Sequence, residues 1–180
     1  NRATTGKVSA GFVVGAKTIT ITPSTTAWTN QNVIATVKYP DATVSNTRKA
    51  GFGTTLESAK TAANSSTAPA TSVTASQNGY IYATATDVSG NVLTMTRQIS
   101  NIDKIAPNIE VEYSTKEMTK ENVTVKIKAN EAMQEKEGWT ISEDRKILIK
   151  EYSENTKELI TIKDIAGNEE EANIEINNID

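Results

Sequence analysis

The sequence predicts an all-β chain built from two tandem modules, and three observations carry that prediction. Thr, Val and Ile are plentiful while aromatic residues make up only 5% of the chain, a balance that favours strands over helices. Apolar residues alternate with polar ones at period two, as in Ile19-Thr-Ile-Thr22 and Ile109-Glu-Val-Glu112, which marks strands with one buried face. The third observation is an internal repeat. Asp87-Val-Ser-Gly-Asn91 returns as Asp164-Ile-Ala-Gly-Asn168, and Asn101-Ile-Asp103 returns as Asn178-Ile-Asp180, both at an offset of 77 residues.

A length of 180 residues suits one large or two small domains, and the repeat selects two. Residues 1–16 have no counterpart in the second half. Gly6, Gly11 and Gly15 punctuate a short apolar run, Phe12-Val-Val14, which reads as a linker or as the last strand of a preceding module. The first module then spans 17–103 and the second 104–180. Their opening stretches, 19–33 and 109–123, align at an offset of 90, with identities at Ser24/Ser114, Thr25/Thr115, Thr29/Thr119 and Asn32/Asn122. A second strand follows, with Val33, Ala35 and Val37 inward in one copy and Val123, Val125 and Ile127 in the other. Lys126 and Lys128 are expected to face out.

The fall in offset from 90 to 77 places 13 extra residues in the first copy, within the Ser/Thr/Ala/Gly-rich stretch 39–77. Residues 57–63 there predict a helical turn or two. In the second copy, 138–152 reads as two strands around a Ser142-Glu-Asp-Arg-Lys146 turn, with Trp139 expected in the core. Ile81, Ala83 and Ala85 alternate along the last hairpin, and Ile160 and Ile162 take the equivalent inward slots. Asn78-Gly79 ahead of that hairpin is a turn dipeptide whose residues tolerate positive φ.

The recurring Asp-x-x-Gly-Asn has a mechanism as a hairpin closure. Asp87 or Asp164 accepts backbone N–H groups further along the loop, Gly90 or Gly167 supplies a left-handed conformation, and Asn91 or Asn168 bonds back across the turn. Pro107 fixes φ and removes a donor just after Asp103, so Asp103, Pro107 and Asp180 mark the module junctions. Calcium is the competing use for these oxygens, with Asp103 and Asp180 as added ligands at the module ends. A hard cation wants about six to eight oxygens, and each loop offers one carboxylate and one amide. The structural turn is therefore the reading adopted, with no metal or other cofactor expected.

Composition excludes several classes of function. With no Cys and no His there are no disulfides, thiol nucleophiles, Cys/His zinc sites or histidine-dependent triads. No stretch approaches the ~20 apolar residues of a membrane span. Residues 1–103 carry 8 Lys/Arg against 4 Asp/Glu, and residues 104–180 carry 11 against 18. No basic patch with interleaved aromatics accompanies these charges, so nucleic acid is not an expected partner. A glycosidase pair of carboxylates is disfavoured too. The first copy holds only Asp41, Glu57, Asp87 and Asp103, and the second copy's glutamates alternate with apolar residues on the wet strand faces. The chain starts at Asn1 without a signal peptide, as expected of a segment of a longer protein.

Residues 113–125 (Tyr-Ser-Thr-Lys-Glu-Met-Thr-Lys-Glu-Asn-Val-Thr-Val), Glu137-Gly-Trp-Thr140, 164–168 and the junction 101–107 resemble the bacterial immunoglobulin-like repeats found in tandem on Gram-positive surface and secreted proteins. The resemblance covers 104–180 and both ends of the first copy, but not its inserted middle. It implies two tandem Ig-like antiparallel β-sandwich modules of about seven strands each, without disulfides and without catalytic residues.

The resemblance and the residues together lead to a non-catalytic stalk or spacer, extracellular and cell-surface-associated or secreted, whose partners are neighbouring Ig-like modules. The alternative is an accessory module of a larger extracellular enzyme that binds a glycan or a host protein, with Trp28, Tyr39, Tyr80 and Tyr82 as contact aromatics. Trp28 aligns with Met118, which favours packing under a loop. An isopeptide between Lys17 and Asn101 is a further covalent alternative, detectable as a loss of roughly 17 Da.

Overall fold

The computed structural model describes residues 17–180, and the expectations for residues 1–16 lie outside that range. The fold is all-β and antiparallel, with one inserted helix. In chain order the elements are β1 (Thr20–Pro23), β2 (Val33–Lys38), β3 (Lys49–Gly53), α1 (Leu56–Ser65), β4 (Ser72–Ala75), β5 (Gly79–Thr86) and β6 (Val92–Ile99). They continue as β7 (Ile109–Tyr113), β8 (Val123–Ala129), β9 (Thr140–Ile141), β10 (Ile147–Tyr152), β11 (Thr156–Lys163) and β12 (Glu169–Ile176). The chain divides into two compact units. The first holds residues 17–24 with Ile34–Ala75 and Gly79–Gln98, and the second holds Thr25–Val33, Ser76–Asn78 and Ile99–Asp180.

In the first unit the sheets run β1-β2-β4 and β3-β5-β6. Period-two alternation sets their buried faces: Ala35 and Val37 on β2, following Val33 at its start, and Ile81, Ala83 and Ala85 on β5. β4, in the first sheet, also packs against β3 and β5.

The inserted segment forms more helix than its sequence suggests, ten residues of it. Thr55 caps α1: its hydroxyl accepts the Ser58 N–H at 3.2 Å while Ser58 Oγ accepts the Thr55 N–H at 3.1 Å. Glu57 in the first turn complements the helix dipole. The face turned inward consists of Ala59 and Ala63, and it lies on Gly51 and Gly53 of β3. A Cβ on Gly51 would come within 2.3 Å of the Ala63 nitrogen, and one on Gly53 within 2.3 Å of the Ala59 nitrogen. Small residues on both sides let helix and strand backbones approach closely. That packing leaves almost no hydrophobic signature, which is why the periodicity of 57–63 is weak.

In the second unit one sheet runs β7-β8-β10-β9 and the β11–β12 hairpin forms the other. Val123, Val125 and Ile127 of β8, Leu148 of β10, Ile162 of β11 and Ile174 of β12 belong to one buried cluster, so the two sheets form a sandwich. The β9–β10 hairpin and the inward slots of Ile160 and Ile162 match the sequence reading.

Two local expectations need correction. Trp139 sits at the margin of the core, half-buried, edge-on to Tyr152 at 6.3 Å and with the Lys150 ammonium 5.6 Å from its ring centre. Trp139 precedes the two-residue β9 and packs against the edge of the buried cluster. Gly79 does not adopt positive φ; it opens β5 in extended conformation. It is required because a Cβ there would meet the Gly53 carbonyl at 2.4 Å. Asn78 has a separate task, described below.

Candidate functional site

The residues singled out by the repeat form a ledge and a turn. Both are built twice, the ledge by the same hydrogen bonds and the turn around the same Asp–Asn pair. In the first copy of the ledge, Thr29 pairs in parallel with Ile102, donating its N–H to Asn101 O at 2.9 Å and accepting the Asp103 N–H at 2.9 Å. Asn101 Nδ2 donates to Ala27 O at 2.7 Å, and the Asn78 side chain brackets the Ile102 peptide with two bonds of 2.9 Å. In the second copy Thr119 pairs with Ile179, Asn178 Nδ2 donates to Glu117 O at 2.8 Å, and Asn155 brackets Ile179 with bonds of 2.9 Å. The amides of Asn-Ile-Asp therefore clamp strand ends, because side-chain amides replace ladder bonds where the sheet stops. Asn101 Nδ2 also donates to Thr25 O at 3.3 Å, and Lys17 is exposed.

The turns close the β5–β6 and β11–β12 hairpins. Asp87 Oδ1 accepts the Ser89 and Asn91 N–H groups at 2.8 Å each, and Asn91 Nδ2 donates to Oδ2 at 2.9 Å. Those bonds, the Asn91 side chain first, hold the Asp87 carboxyl below the usual carboxylate range. Asp164 Oδ1 accepts the Gly167 and Asn168 N–H groups at 2.6 and 2.8 Å, and Asn168 Nδ2 donates to Oδ2 at 2.7 Å. Gly90 and Gly167 adopt φ of 88° and 95°, left-handed as the turn requires.

Within the second unit the 164–168 turn is seated on the first ledge. Asn30 donates its N–H to Ala166 O at 3.0 Å, and Asn168 Nδ2 also donates to Asp103 O at 3.0 Å. Trp28, Asp103, Glu131, Ala132, Ile165 and Ala166 line a hollow of about 250 Å³ at this seat. Carboxylate oxygens of Asp103, Glu131 and Asp164 lie within 4.8 Å of one another. These are the side chains that could hold a hard cation, although Asp164 already accepts three N–H donors. Asp180 is not part of this cluster. Glu131 escaped the sequence reading, since nothing in the loop after β8 distinguishes it from the many solvated glutamates.

Burial first, and then the neighbouring Asp103 and Asp164, push the Glu131 carboxyl up. A raised folded-state value means that Glu131 favours the fold below its unfolded pKa and loses that contribution as pH rises through the folded value. Glu131→Gln is therefore expected to raise thermal stability at pH 7, by about 0.2–1 kcal/mol on the scale of single near-surface charge interactions. The gain should vanish below about pH 4, where the wild-type carboxyl is neutral. Melting curves of both proteins at the two pH values provide the check, and a lower midpoint for the variant at pH 7 would contradict the assignment.

The remaining aromatics occupy separate places. Tyr39 is half-buried, donates its hydroxyl to Ala70 O at 2.8 Å and lies under the Arg48 guanidinium at 5.9 Å. Burial raises its pKa to about 12 against the opposing effect of Arg48. Tyr80 and Tyr82 share the outer face of β5, opposite Gly53 and Gly51, in the sheet that carries α1. Trp28, at the ledge, is 54% exposed. Pro107 is buried just before β7.

No family model matches the chain, and no curated protein matches it. Among solved structures, it is similar to the crystal structure of murine CEACAM1b, with 14% sequence identity and a TM-score of 0.46. That similarity covers 88% of this chain and 98% of the other. Among the described residues no helix is long and apolar enough to cross a membrane.

Proposed function

We propose that this chain is a non-catalytic spacer, a stretch of tandem Ig-like modules from an extracellular bacterial protein, on the cell surface or secreted. The observation that supports it most is the seating of the 164–168 turn by Asn30, Asn168 and Trp28. Direct hydrogen bonds from backbone and amide groups hold that turn in a defined place within the second unit, as a stiff element requires. The repeated use of one clamp also fits an element valued for its reiteration. The surface location and bacterial origin rest on the sequence resemblance.

The absence of cysteine from the sequence makes a direct test simple. Spin labels introduced as Thr36→Cys and Ser153→Cys, both exposed positions, report the distance between the two units. A spacer gives one narrow distance distribution. A broad distribution in the unaltered chain would overturn the reading. The accessory-module alternative draws on Trp28, a half-exposed indole beside carboxylates in the hollow at the ledge. A glycan array that retains the chain, and releases it on Trp28→Ala, would favour that alternative.

A further inference from the structure

The two ledges are alike in their internal bonds but unlike in what covers them. On the first, the Asn30 N–H has an acceptor in Ala166, Ile102 is buried, and Asp103 O receives the Asn168 amide. On the second, Lys120 stands where Asn30 stands, and its N–H has no acceptor among the described residues. Ile179 is only half-buried, and Met118, in the place of Trp28, is 68% exposed. An exposed large apolar side chain beside a solvent-facing backbone donor is a surface that a partner with an acceptor and an apolar contact can cover.

The turns show the complementary difference. The seated turn has Asp164 buried and Ile165 38% exposed, with Ala166, Gly167 and Asn168 half-buried. In the other turn Val88 is 75% exposed, Ser89, Gly90 and Asn91 are all exposed, and Asn91 Nδ2 bonds only to Asp87. Seating on a ledge thus accounts for both the extra burial and the second bond of the asparagine amide.

We infer that the ledge formed by Met118, Lys120, Ile179 and Asp180 is a docking site for the Asp-x-x-Gly-Asn turn of another module of this kind, a second copy of residues 104–180. The ledge is continuous in design with the occupied one, bond for bond, and this decides the occupant. The third turn residue of the incoming module accepts the Lys120 N–H. Its terminal Asn donates an amide hydrogen to the Asp180 carbonyl, and its second turn residue covers Met118. The inference rests on the modular spacer reading for the kind of partner, and on the duplicated ledge for the site.

The test appends a second copy of residues 104–180 directly after Asp180 of the full chain, which reproduces the Asp103–Lys104 connection. Amide exchange at Lys120, followed by NMR, is the readout. Exchange at least tenfold slower than in the unextended chain, together with a shifted Met118 methyl signal, is the expected result. Placing Asn168→Ala in the appended copy alone should weaken the protection without unfolding either partner, as amide signals of β8 will report. Unchanged Lys120 exchange in a folded fusion would overturn the docking site. The spacer reading is tested separately, by the distance distribution of the unextended chain, so either can fail without the other.

Discussion

Gly51→Ala is expected to destabilise the first unit by about 3 kcal/mol, the upper range for overpacking, and to detach α1 from β3. The added Cβ would lie 2.3 Å from the Ala63 nitrogen and 2.5 Å from the Ala62 carbonyl carbon. Both are backbone atoms of a capped helix, so no side-chain rotation relieves the clash. Gly51 is not among the residues with positive φ, so the cost comes from the contact and not from backbone strain. Calorimetry should show a lower transition for one unit only, and the α1 amides should lose protection from hydrogen exchange. An unchanged melting profile would mean that the helix does not rest on this strand.

The second large effect separates the two turns. Asp164→Ala removes a carboxylate that is 1% exposed, strips the Asn168 N–H of its acceptor, and leaves the Gly167 N–H only the Asp164 carbonyl and the Asn168 amide only the Asp103 carbonyl. Stranded, partly buried donors make this a loss on the order of 3 kcal/mol, or roughly 15 °C in the midpoint of a unit of this size. Asp87→Ala deletes the bonds from Ser89, Asn91 and the Asn91 amide in an exposed loop, where water replaces them, and should cost far less. Thermal unfolding of the two variants side by side checks the asymmetry. Equal losses would show that the turn's own bonds matter, and that its seat does not. The Asp87 signal should titrate below the normal carboxylate range, and Asn91→Ala should raise it, because that side chain is the leading cause of the shift.

Much of this protein is local enough to read along the chain. Alternation at period two placed Val33, Val37, Val123, Ile127, Ile160 and Ile162 on buried faces, and all six are buried. Gly90 and Gly167 adopt the left-handed conformation that Asp-x-x-Gly-Asn demands, since that requirement arises within five residues of chain. The recurrence of Asn-Ile-Asp was visible as well, but its chemistry was not. Its clamp joins Asn101 to Thr25 and Ala27, and Asn178 to Thr115 and Glu117, groups that only folding brings together.

Tertiary structure decided the rest, for one physical reason: backbone contacts between distant segments leave no hydrophobic pattern. Gly79 reads as a turn residue in sequence and Gly51 and Gly53 are lost in a Ser/Thr/Ala/Gly-rich stretch, and each is there because another segment's backbone passes where a Cβ would be. Glu131 looked like any solvated acid until the 164–168 turn brought Asp103 and Asp164 beside it. The sequence by itself determined the strands, the hairpin closures and the existence of a repeat. Which closure is seated and which lies open was decided by packing, because Ile165 and Val88 are nearly the same side chain in different surroundings.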